Sequence, residues 1–170
     1  ETINFIKQTK DGCYIFLGDF EKFFDTLNHE YLKFQLKRVL GKDRLSEDWY
    51  KIFKSITKFS WIEQKDLNEL FGSEKVQYKN GMKTYFKNWK EFRNFKVNNH
   101  VNKNLKKYGI PQGTPISAVL SNVYMIDFDG WLNELSLKYE GKYLRYADDF
   151  ILVFPFKTTD EDVYLRIINR

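Results

Sequence analysis

Three aspartates stand where metal chemistry is possible. Asp148 and Asp149 are adjacent within "YLRYADDFILV" (143–153), a run of aromatic and branched residues that otherwise reads as strand, and Asp19 closes the apolar run "GCYIFLGDF" (12–20). Two neighbouring carboxylates at a hairpin tip cannot both be buried and ionised without a cation, because each carries a desolvation cost and they repel one another. A tight turn could instead hold them in solvent, since Asp is a common turn residue. Asp19 shifts that balance: if its strand lies beside the 143–153 hairpin, three carboxylates converge on one edge of a sheet. Hard oxygen ligands of this kind suit Mg²⁺, with Mn²⁺ able to substitute, and two ions about 4 Å apart are the usual arrangement for in-line nucleotidyl transfer.

The elements that must present these aspartates follow from periodicity and punctuation. Residues 12–20 read as a buried strand. "NHEYLKFQLKRVLGK" reads as an amphipathic helix capped by Asn28, with Leu32, Leu36, Val39 and Leu40 on one face and Gly41 as its stop. Residues 46–71 read as helical with a mixed period. The stretch 81–95 puts Lys83, Lys87 and Lys90 at helical spacing among Tyr85, Phe86, Trp89 and Phe92. "NNHVNKNLKKYGIPQGTP" is polar, then punctuated by Gly and Pro, and so a loop. Residues 117–138 carry an apolar stripe through Leu120, Val123, Tyr124, Ile126, Trp131 and Leu135. They read as one long buried helix that Ser117 could cap, with Asp127 and Asp129 on its surface. "KYLRYA" and "FILVFPF" are two strands joined at Asp148 and Asp149, and "TTDEDVYLRIINR" begins a last helix. This order predicts an α+β domain, a small antiparallel sheet packed on helices, with no repeat or linker to mark a second domain.

Composition narrows the partners. The chain has 170 residues, and 42% hydrophobic with 18% aromatic content excludes disorder. No stretch reaches the roughly 18 consecutive apolar residues needed to span a bilayer, and the start lacks a secretory signal, which predicts a cytoplasmic protein with no membrane partner. Cys13, within "CYIFL", reads as a small buried side chain. The net charge of +5 hides an asymmetry: residues 75–107 hold ten Lys or Arg against one Glu, and the remainder sums to −4. Such a concentration is the footprint that polyanions select, although a solvated face explains many charge runs.

Three stretches resemble the sequence motifs of one family. "GDFEKFFDTLNHEYL" resembles motif A of reverse transcriptases, "YGIPQGTPISAVLSNVYM" resembles motif B, and "YLRYADDFILV" resembles motif C with its YADD box. The resemblance runs in order from 12 to 154 and is nearest to the bacterial group of group II intron, retron and phage-defence enzymes. It implies a polymerase palm that copies an RNA template, extending a DNA or RNA primer with dNTPs, in some relatives as antiviral defence and with a non-coding RNA or protein partner. Asp19 and Asp148 would be the principal metal ligands, Asp149 would complete the cluster, and the Phe20 backbone carbonyl would add an oxygen. Phe24 falls where the family places the aromatic ring that excludes a 2′-hydroxyl. Gln112 would line the incoming nucleotide and its template base, and Gly113 would allow close backbone approach.

Residue patterns leave alternatives open around these assignments. Phe24 could be core with Phe23 facing the pocket, although motif spacing favours Phe24. "GIPQGTP" could be a plain helix lead-in capped by Thr114 or Ser117, and Asn122 is either a buried hydrogen-bonding residue or part of the substrate wall. His29 and His100 have no partner at metal-ligand spacing.

The pattern also departs from the family. Only 18 residues precede Asp19 and the chain stops soon after motif C, so the resemblance implies a palm over 1–170, with fingers and thumb largely outside it and no activity alone. Between Asp19 and Gln112 lie 92 residues, and the surplus over 60–107 reads as a basic helical insertion. There Lys83, Lys87, Lys90 and Arg93 could track a phosphate backbone while aromatics stack bases. Equally, Tyr85, Trp89 and Phe92 could pack against the palm with the lysines solvated. Template-independent or protein-primed synthesis would use the same metals. A non-catalytic, maturase-like RNA-binding module would not need three converging carboxylates.

Overall fold

The computed structural model describes residues 2–98 and 101–156. In chain order the elements are α1 (Thr2–Gln8), β1 (Cys13–Gly18), α2 (Phe23–Thr26), α3 (His29–Leu40), α4 (Glu47–Thr57), β2 (Ser60–Trp61), α5 (Gln64–Phe71), α6 (Glu74–Lys79), α7 (Trp89–Asn98), β3 (Asn102–Lys103), α8 (Pro115–Tyr124), α9 (Ile126–Lys138), β4 (Lys142–Tyr146) and β5 (Asp149–Pro155). The expected last helix, in 158–170, and His100 lie outside the described residues. The α+β class is as expected: β5 is the middle strand of an antiparallel sheet ordered β1-β5-β4.

Register sorts the sheet's two faces. Phe16, Leu152 and Tyr143 form one cross-strand row, and Gly18, Phe150 and Arg145 form the next. This face packs on α9, where Leu132, Leu152 and Phe154 form a buried cluster. Gly18 has a specific reason to be glycine, since a Cβ there would run into the Phe150 ring. The opposite face holds Ile15, Leu17, Leu144, Ile151 and Val153; Val153 is buried, whereas Leu17 at the β1 end is 80% exposed. Strand β1 is therefore half-covered rather than buried, with Tyr14, Ile15 and Leu17 exposed.

A second core joins α3 to α8. Asn28 caps α3 by accepting from the Glu30 and Tyr31 amides, and Gly41 ends it in the left-handed region. Leu32 and Leu36 are buried with Leu120, Ile110 and Phe53, whereas Val39, expected on the same face, is 55% exposed because α3 meets its neighbours along a narrower stripe. Rings of Phe20, Phe128 and Phe150, with centroids 5.1 to 5.7 Å apart, bridge the two cores.

Three helix expectations need correction. Residues 46–71 are not continuous, because Ser60 and Trp61 leave the helical path to pair with Lys103 and Asn102. In 81–95 the helix starts only at Trp89. Asn88 caps it by accepting from the Lys90 and Glu91 amides, and Glu91 reaches back to the Lys87 amide. Residues 117–138 are two helices. The chain turns at Met125, so that α8 packs on α3 while α9 covers the sheet, and Thr114 rather than Ser117 is the cap. Ser117 is buried, its hydroxyl 2.6 Å from that of Thr114.

The start of α3 is bolted to the loop before α8. His29 donates its backbone amide to Lys107, and its Nε2 lies 2.7 Å from the Gly109 carbonyl, which Asn104 also meets. Burial lowers the imidazole pKa, the Gly109 bond opposes this, and Lys58 adds to the lowering. The folded chain therefore favours neutral His29. Stability should be full above the unfolded pKa of about 6.5 and decline as pH falls below it, and urea unfolding of His29→Gln should show a shallower decline between about pH 7 and 5.5. In the same assay Leu120→Ala, which empties a fully buried position between α3 and α8, should cost about 2–5 kcal/mol.

Candidate active site

The sheet brings the two acidic segments together. Register pairs Gly18 with Phe150 and Tyr146 with Asp149, so Asp19 follows β1 at the same edge from which β5 departs. The Phe20 amide donates to the Asp148 carbonyl at 3.3 Å and joins the two segments directly. The β4–β5 turn consists of Ala147 and Asp148, with Ala147 at φ 55°. Asp19 and Asp149 are exposed and Asp148 is half-buried. Next to them Leu17, Leu144, Tyr146 and Ile151 line an open groove of about 530 Å³, and Tyr146 is 86% exposed.

The donor set is oxygen only, which fits a hard divalent cation. Among the described residues no three His, Cys, Asp or Glu side chains are gathered into a ready metal cage. Asp19, Asp148 and Asp149 share an edge as carboxylates carried on adjoining backbone, and Phe20 is bonded there through its amide.

The segments expected to face a nucleotide are held together by backbone bonds. Ile110 donates to the Phe24 carbonyl at 2.8 Å and Gly109 to that of Leu27 at 2.9 Å, which lays the loop before α8 along α2. Gly109, at φ 88°, has its Cβ position 3.1 Å from the Asp25 carbonyl oxygen, so this approach requires glycine. Phe23 is buried core, and Phe24 is half-buried and packs against the same cluster, so of the two adjacent rings Phe24 is the more accessible. Gln112 and Gly113 are exposed, and Gly113 takes φ 86°.

The four cations between 83 and 93 are not gathered on one helical face. Lys83 and Lys87 precede α7 while Lys90 and Arg93 lie on it, and all four are exposed. Aromatic packing there is local: Phe86 contacts Phe71, Phe92 and Phe95, and Trp89 is 65% exposed. The β2–β3 pair ties the two ends of this segment together.

Of the two acidic residues expected on a helix surface, Asp127 is exposed and Asp129 is half-buried, and both anchor neighbouring elements. Asp127 accepts from Arg38, Tyr31 and Gln35, linking α9 to α3, and the Arg38 bonds first among these hold its carboxyl below the usual range. Asp129 accepts from Arg145 Nε at 2.7 Å and Nη2 at 2.6 Å, and from the Tyr143 hydroxyl at 2.6 Å. Burial alone would raise the Asp129 carboxyl, but the bonds from Arg145 and Tyr143 outweigh it and hold it low. Burial, then Asp129, pushes the Tyr143 hydroxyl up. Asn122, exposed rather than buried, accepts from Arg145 at 3.2 Å. Sequence reasoning passed over Arg145; its signal was a cation in the interior of the aromatic strand "KYLRYA", where burial demands a partner.

No curated protein sequence matches the chain. Among solved structures, apo telomerase from Candida tropicalis, truncated from its C-terminal domain, superposes with a TM-score of 0.58 at 14% identity, over 99% of this chain and 28% of that one. Telomerase from Candida albicans in complex with a TWJ fragment of telomeric RNA aligns at 0.49 and 14% identity, over 92% of this chain and 24% of that one. The chain thus spans about a quarter of the length of the telomerases it resembles, and the shared feature is the fold. A family profile described as reverse transcriptase (RNA-dependent DNA polymerase) matches residues 1–169, and the chain belongs to that family.

Proposed function

We propose that this chain is the palm of an RNA-directed DNA polymerase, whose fingers and thumb are supplied by further sequence and whose 60–107 segment is a basic insertion. The observation that carries the reading is the convergence of Asp19 and the Asp148–Asp149 turn on one sheet edge, joined by the Phe20–Asp148 bond. In this reading Asp19, Asp148 and Asp149 hold two divalent ions, Mg²⁺ or Mn²⁺, with the Phe20 carbonyl as a further oxygen. Such ions, when bound, supply activation of a primer 3′-hydroxyl and charge stabilisation for departing pyrophosphate. The 3′-oxygen forms its bond to the α-phosphorus as the bond to pyrophosphate breaks, and one dNMP is added.

The remaining residues orient and select. Phe24, half-buried beside the loop before α8, excludes a ribose 2′-hydroxyl. Gln112 contacts the incoming nucleotide, and Gly113 lets the backbone approach it. Lys83, Lys87, Lys90 and Arg93 offer exposed charge to a nucleic acid backbone. The motif matches favour a bacterial-type enzyme, and antiviral defence is one role such enzymes fill.

The test is nucleotide incorporation by the full-length protein with Mg²⁺ or Mn²⁺, with and without a primed RNA template. Template-dependent dNTP addition should fall to background in Asp148→Ala, and undiminished addition would refute the assignment. Addition without template would move the reading to untemplated synthesis, and tight RNA binding with no addition under either metal would favour a non-catalytic module. Phe24→Val should raise the use of rNTPs relative to dNTPs by about 10- to 100-fold, the scale of discrimination that pocket size supplies.

A further inference from the structure

The peptide units around Asp148 are held from both sides. On the far side, the Asp148 carbonyl accepts from the Phe20 amide of the Asp19 segment. On the near side, the Ala147 carbonyl accepts from Arg145 Nη1 at 2.7 Å. That carbonyl belongs to the planar unit joining Ala147 to Asp148, so the bond sets the plane from which Asp148 departs. The turn needs such a hold, because Ala147 sits at φ 55°, a region that residues with a Cβ adopt only when their surroundings impose it.

The guanidinium that supplies this bond is itself immobilised. Its side chain is only 6% exposed and forms a two-pronged ion pair with Asp129 of α9, the geometry that suits arginine and no other cation. Tyr143 donates to the same carboxylate, and Arg145 Nη2 also reaches Asn122 on α8. One buried cation thus touches the turn that carries Asp148, the helix under the sheet, and the helix that follows Gln112. Burial of an ion pair is a poor way to gain stability, since apolar replacements of like size often do as well. The directional bond to Ala147 is what an apolar replacement could not reproduce.

We propose that Arg145 is the positioning residue of the acidic edge: clamped by Asp129, it fixes the Ala147–Asp148 peptide for metal binding and, through Asn122, couples that turn to the helix behind Gln112. This rests on the polymerase reading, but the clamp has its own readout, the affinity of the folded protein for Mn²⁺. A residue that served only to stabilise the fold would change the melting temperature and leave that affinity alone.

The experiment uses the full-length protein and its Arg145→Met, Arg145→Lys, Asn122→Ala and Asp148→Asn variants. Mn²⁺ binding is followed by electron paramagnetic resonance, folding by circular dichroism, and primer extension by kcat and by KM for dNTP. Arg145→Met, folded, should bind Mn²⁺ about 10- to 100-fold more weakly and lose kcat in proportion, the range seen when a partner behind a metal ligand is removed. Arg145→Lys should recover part of this loss, since an ammonium can meet Asp129 or Ala147 but not both in the same geometry. Asn122→Ala, at an exposed position, should raise KM for dNTP with a smaller effect on Mn²⁺. Wild-type Mn²⁺ affinity in Arg145→Met and Arg145→Lys overturns the proposal, as does Mn²⁺ binding that Asp148→Asn leaves unchanged. If Arg145→Met does not fold, Arg145→Lys and Asn122→Ala decide: wild-type Mn²⁺ affinity and KM in both overturn the clamp. A wild-type protein that binds Mn²⁺ through Asp148 yet extends no primer refutes the polymerase reading alone, and the clamp is then judged on Mn²⁺ affinity.

Discussion

Everything at the acidic edge depends on β5 pairing antiparallel with both β1 and β4. That pairing converts a separation of more than a hundred residues into adjacency, with Gly18 opposite Phe150 and Tyr146 opposite Asp149. Its register is enforced by contrast between the faces. A slip of one residue would turn Phe150, Leu152 and Phe154 away from α9 and expose them. The same slip would put the Phe150 ring out of line with Gly18, the position in β1 that has room for it. The hydrophobic effect thus fixes where the carboxylates stand, although none of them takes part in it.

Phenylalanine does the anchoring beneath the aspartates. Phe20 follows Asp19 and Phe150 follows Asp149 in sequence, and their rings meet each other and Phe128 of α9. Each exposed acid is therefore tethered to a packed aromatic neighbour. This is how an edge can carry like charges in water while its backbone stays rigid, since the repulsion acts on side chains and the restraint acts on main chain.

Helix α9 joins the two halves of the molecule through two carboxylates in its first turn. Asp127 reaches Arg38 and Gln35 on α3, and Asp129 reaches Arg145 on β4. Acidic residues are favoured there by the helix dipole, and the arginines add directional bonds that pin α9 between α3 and the sheet. The break at Met125 is what makes this possible, because a continuous helix could not pack on α3 along one segment and on the sheet along the next.

The sequence by itself determined the class of the fold, the cap and stop of α3, the strands of the hairpin and the three motif stretches. These are local properties: period-two and helical periodicity, an Asn before a helix, a glycine after one, and short runs of residues in order. Only the tertiary structure decided that Phe23 is buried and Phe24 half-buried, that 46–71 and 117–138 break, and that Asp129 and Arg145 are partners. Phe23 and Phe24 are equivalent to any pattern argument, and only the packed core separates them, burying Phe23 and leaving Phe24 half-buried at its margin. The breaks arise where long-range pairing or packing outweighs local helix preference, as when Ser60 and Trp61 find Asn102 and Lys103. The ion pair was invisible because its members are sixteen residues apart on a helix and a strand, where no sequence period relates them and only the packing of one on the other brings their charges together.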